Sequence, residues 1–184
     1  MKIKFNQSKL KLAIASTIVV GSIGISSASY ANNSMDVTTT VGAGCVVSIA
    51  TTMTFDTYAP VTTHATTDLT KSSDITAQCT NLTSAVISLS GGNNNNNSTS
   101  TADSAPTRRM KIAGTTDYLN YDLNTTDSAS GTEWGSNAGA DAGGVPYTGI
   151  GTSEPLTVYG RIPAGQNVAT GAYIDTVVVT IELG

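Results

Sequence analysis

From residue 32 onward several segments place apolar side chains at every second position, and no stretch holds them at helical spacing for three turns. Period two is the signature of a strand with one buried face. Ile75, Ala77 and Cys79 share one face, Ala85, Ile87 and Leu89 another, and Leu119, Tyr121 and Leu123 a third. Composition agrees, since Thr, Ser, Asn, Gly and Val dominate while Leu, Glu and Lys are scarce. Candidate strands cover residues 45–50, 74–79, 84–90, 108–113, 118–124, 155–162 and 172–183. Short strands separated by turn-rich loops predict an all-β sandwich with one solvated face per sheet. The absence of a fixed-period repeat argues against a solenoid or propeller.

The first residues obey a different rule. Lys2, Lys4, Lys9 and Lys11 precede an apolar run over 12–25, and small residues follow in "SSASYA", with Ser29 and Ala31 suited to cleavage. This predicts a secretory signal peptide over 1–31. A membrane-spanning helix needs about 20 apolar residues, whereas this run is interrupted by Ser16, Thr17, Gly21, Ser22 and Gly24. Removing 31 of the 184 residues leaves 153, enough for one domain with its own core. That mature chain keeps all thirteen acidic residues but only Lys71, Arg108, Arg109, Lys111 and Arg161 among bases, a net charge of about −8. Nucleic acid and anionic membrane are poor partners for such a surface. Two cysteines in an exported chain predict one disulfide, Cys45 to Cys79. The chain-entropy model gives it roughly 4 kcal/mol.

Chemistry-bearing residues are sparse. Residues 91–106 and 125–154 read as polar loops. Asn137 and Asp141 lack the spacing of a Ca²⁺ loop. Trp134, the only tryptophan, is expected to pack over the sandwich edge rather than stack on a sugar. His64, the only histidine, lies in "TTHATT" with no nucleophile elbow anywhere, and Glu133, Glu154 and Glu182 read as solvated charge. The expectation is a protein without catalytic activity, cofactor or metal.

The two ends of the mature chain carry more. Between 35 and 43 the odd positions are Met35, Val37, Thr39, Val41 and Ala43, while Asp36, Thr38, Thr40 and Gly42 alternate with them. At the other end Val177, Val179, Ile181 and Leu183 oppose Thr176, Thr180 and Glu182, and the sequence stops at Gly184. An immunoglobulin-type sandwich would normally return once more after such a strand. A last strand without that return leaves unpaired backbone groups and an apolar groove. Residues 32–43 have the length and alternation to fill such a groove in another molecule, and equally to pair within their own domain.

"RRM" (108–110), "YLNYDL" (118–123), "EWG" (133–135), "YGRIPAGQ" (159–166) and "GAYIDTVVVTI" (171–181), with Cys45 early and "AQCT" (77–80) next, resemble the spore coat protein U domain family. The family's best understood members are subunits of archaic, Csu-type chaperone-usher pili. The resemblance departs at "TFDTY" (54–58), and Asn93 to Asn97 look like an insertion.

The resemblance implies an incomplete immunoglobulin-like sandwich over 44–184, completed by a donor strand from a neighbouring subunit. Residues 32–43 are then the donor segment, with Met35, Val37, Thr39, Val41 and Ala43 facing the groove. Val47, Ile49, Val177, Val179, Ile181 and Leu183 are the expected groove lining. The implied partners are identical subunits, a periplasmic chaperone, an outer-membrane usher and minor or tip subunits. The implied setting is a pilus on the bacterial surface that supports attachment and biofilm formation. A secreted carbohydrate-binding sandwich, with Trp134 at its site, and a coat or matrix protein are the alternatives.

Overall fold

The computed structural model describes residues 35–49, 51–96, 105–127, 131–136 and 143–184. The expected signal peptide, the first residues of the expected donor segment, and Asn137 and Asp141 lie outside them. The chain divides into two compact units, Met1–Thr39 and Thr40–Gly184. Within the first, described residues 35–39 form no regular element, and Met35 and Val37 are exposed.

The second unit is all-β. Its strands are β1 (Cys45–Ile49), β2 (Leu69–Cys79), β3 (Ser84–Leu89), β4 (Arg109–Ile112), β5 (Tyr118–Asn120), β6 (Asp122–Asn124), β7 (Val145–Thr148), β8 (Glu154–Ile162), β9 (Tyr173–Ile174) and β10 (Val179–Leu183). One sheet runs β1-β2-β8-β6, a second β10-β3-β7 and a third β5-β4-β9. All the strand pairs are antiparallel.

The period-two side chains build one core between these sheets. Ile75 and Ala77 of β2, Val158 and Ile162 of β8, and Leu123 of β6 join Ala85, Ile87 and Leu89 of β3, Leu119 of β5 and Tyr147 of β7 in a single buried cluster. Opposite Cys45 in the β1–β2 register stands Cys79, and the two form the disulfide. It staples the start of β1 to the end of β2.

Strand order places the fold in the immunoglobulin plan. The sheet β1-β2-β8-β6 has the sequence order of strands A, B, E and D, and β10 beside β3 stands as F beside C. In a complete sandwich of this plan strand G lies on the other side of F. Among the described residues β10 pairs with β3 alone.

Four elements differ from the sequence reading, the first being β2, which starts at Leu69 rather than at residue 74. Residues 118–124 alternate without interruption, yet the pairing changes at Tyr121, from β4 for β5 to β8 for β6. Residues 172–183 likewise divide into β9 on β4 and β10 on β3. Finally β7, "VPYT", lies within the expected loop over 125–154. It is an edge strand, where Pro146 costs no ladder bond on the open side.

Candidate functional site

Beyond Ile49 and Val179 a groove of about 900 Å³ opens between two stretches of chain. Residues 51–58, which continue from β1, line one side, and residues 168–177, which lead through β9 to β10, line the other. Its floor is the core itself, including Leu89, Leu119, Leu123, Val158 and Ile162. The floor is therefore apolar, formed by side chains that are themselves buried.

Local chemistry holds both sides in place. Met53 and Phe55 extend the odd-numbered alternation of Cys45, Val47 and Ile49, and pack over Gly160, where any Cβ would collide with both side chains. The Tyr58 hydroxyl donates to the Pro163 carbonyl at 2.9 Å and accepts from the Gln166 N–H at 3.0 Å. Its ring stacks on His64, whose Nδ1 accepts the Ala59 N–H at 2.8 Å. The sole histidine is thus a structural acceptor. On the other side Asp175 takes the Tyr121 hydroxyl at 2.7 Å on one oxygen, and the Asn94 N–H and side-chain amide on the other. Burial and then the Asp175 carboxylate hold the Tyr121 phenol well above its ordinary range.

Arg108 anchors the adjoining layer from inside. Its guanidinium donates to the carbonyls of Leu89, Ser90 and Trp134 and to the Glu133 carboxylate at 2.6 to 3.1 Å, and is 1% exposed. Desolvation lowers its pKa, with Glu133 opposing. Trp134 is buried and donates Nε1–H to the Ile87 carbonyl at 2.9 Å. It offers no face to a sugar. Among the described residues no cluster of His, Cys, Asp and Glu is built to hold a metal ion.

The residues expected to line the acceptor groove are distributed along it and below it. Ile49, Val177 and Val179 line the groove. Val47 of β1 and Ile181 of β10 are half-buried against the core, and these two strands lie near one another. Leu183 is exposed at the end of β10. Residues 35–44 form no strand, and Met35, Val37 and Val41 are each more than three-quarters exposed. Met53, Phe55, Tyr58 and Val168 belong to the lining too, and the odd-position alternation running on from β1 is the signal that would have found the first two.

Residues 31–180 match the spore coat protein U domain. The chain belongs to the spore coat protein U domain family. Protein U of Myxococcus xanthus is 36% identical over 180 residues, covering 94% of this chain and 97% of that protein. The fold is similar to a chain in the crystal structure of the CsuC–CsuE chaperone–tip adhesion subunit pre-assembly complex, from archaic chaperone-usher Csu pili of Acinetobacter baumannii. The TM-score is 0.51 at 22% identity, over 78% of this chain and 40% of that one. Among the described residues no strand pairs with the side of β10 away from β3, where strand G lies in a complete sandwich of this order, and Val177 and Val179 bring the groove to that side.

Proposed function

We propose that the chain is a structural subunit of an extracellular fibre of the chaperone-usher type, polymerised by donor-strand complementation. Residues 32–43 of one copy occupy the groove of the next, pairing with the edge of β10 away from β3 and presenting Met35, Val37, Thr39, Val41 and Ala43 to its floor. Before assembly a periplasmic chaperone lends a strand to the same groove, and at an outer-membrane usher the donor segment of the incoming subunit replaces it. The fibre, capped by minor or tip subunits, serves attachment and biofilm formation. The observation that carries this reading is the coexistence, among the described residues, of an apolar groove beside a strand edge that no other strand pairs with and an exposed segment of matching alternation.

The energetics favour exchange without any cofactor. Burying Met35, Val37 and Val41 at about 1.5 to 3 kcal/mol each gives roughly 5 to 9 kcal/mol gross, before ordering costs. Ladder hydrogen bonds add to this. Deleting residues 32–42 should yield a subunit that forms no polymers yet binds a synthetic peptide of residues 32–43. Size-exclusion chromatography of full-length and truncated chains checks the first outcome, and peptide-induced thermal stabilisation the second. Polymers of the truncated chain would contradict the donor assignment.

A further inference from the structure

The turn between β2 and β3 holds a leucine where its backbone conformation disfavours one. The Thr83 N–H bonds the Thr80 carbonyl at 3.0 Å and closes the turn, with Leu82 third in it at φ 62°. That position favours Gly or Asn, and positive φ is uncommon for a bulky side chain. Leu82 is nevertheless 82% exposed. Its N–H bonds the Gly149 carbonyl at 2.8 Å, which brings Ile150, itself 54% exposed, alongside. An apolar tip is thus displayed at strain, and the isolated domain makes no use of it.

The position of the tip identifies what it meets. Thr80, two residues from Leu82, donates its N–H to the Gly44 carbonyl at 2.9 Å, and its hydroxyl donates to the Gly42 carbonyl. The domain therefore begins at the tip, immediately after the donor segment ends. From Val41 to Gly44 an extended chain reaches only about 10 Å. Once residues 35–43 lie in another copy's groove, the tip is held against that copy. An antiparallel strand added to β10 runs opposite to β9 and β10, so its C-terminal end leaves the groove beside the Tyr58 and Pro60 turn. Val61, the next residue, is 89% exposed.

Resting on the donor-strand reading, we infer that Leu82 and Ile150 of each subunit dock on Pro60 and Val61 of the subunit that receives its donor segment. This second, head-to-tail contact joins rigid domains, where the donor strand alone joins them through a short linker. Being heterologous, it propagates along an open fibre.

The full chain carrying Leu82→Cys together with Val61→Cys tests the contact. Mild oxidation of its polymers should give a ladder of disulfide-linked multimers on denaturation without reductant, while either single substitution gives nothing beyond a dimer. Leu82→Asn suits the turn and keeps the fold. Its polymers should dissociate in guanidinium faster by on the order of tenfold, since interface changes act mainly on dissociation. Polymers that form normally, yield no ladder and keep the wild-type lifetime with Leu82→Asn would overturn the contact and leave the donor-strand reading standing. A wild-type chain that forms no polymers would remove that reading, and this contact with it.

Discussion

Val41 and Thr40 are neighbours whose side chains leave a strand in opposite directions, so they separate burial from mere proximity. A one-residue slip would put Asp36, Thr38, Thr40 and Gly42 into the groove in place of the apolar set. A buried, unpaired carboxylate costs several kcal/mol. A donor peptide carrying Val41→Asp should therefore lose nearly all binding to the truncated subunit, while Thr40→Asp stays close to wild type. Calorimetric titration of the two peptides checks this, and a reversed order would mean that the even positions face the groove. Tyr121 gives a second residue-scale test. Its folded-state pKa is raised by burial and by Asp175, so folding favours the neutral phenol. The stabilisation is complete below the unfolded value of about 10 and is lost as pH rises above it. Tyr121→Phe should flatten the alkaline decline measured by urea unfolding. Some decline should persist, because Tyr147 and Tyr173 are shifted upward as well.

Alternation made most strands legible in the sequence, and pairing partners were the part that alternation could not convey. The faces carrying Ile75, Ala77 and Cys79, and Ala85, Ile87 and Leu89, are buried together. What periodicity does not encode is a change of partner within an uninterrupted strand, as at Tyr121 or between β9 and β10. The five residues before Asp74 in β2 also carry little apolar alternation, and are ordered by their ladder to β8. In the groove, β10 and the end of β1 could be read from pattern. The Asp175–Tyr121 clasp and the buried Arg108 could not, because each depends on groups far apart in sequence. The disulfide belongs to this scale, since it fixes the start of β1 against the end of β2. Cys45→Ser should cost about 2 to 5 kcal/mol. Chemical unfolding under oxidising conditions should show the loss, and unchanged stability would remove the bridge's structural role.

For the whole molecule, a buried core coexists with a groove beside which, among the described residues, β10 pairs with β3 alone. The Arg108 network ties the end of β3 to Glu133 and Trp134, and the disulfide ties β1 to β2. Residues 32–184 carry a net charge of about −8, which opposes non-specific association. Linear growth follows if each copy both offers a segment and presents a groove. Amide hydrogen exchange along Val179–Leu183, in the subunit lacking residues 32–42, tests this most directly when followed with and without the peptide of residues 32–43. In an antiparallel sheet alternate amides of β10 point to β3 and the others to its free edge. The edge-facing amides should exchange fast in the free subunit and become strongly protected with the peptide, while those bonded to β3 change little. Bound peptide with no protection of the edge-facing amides would contradict strand addition at β10.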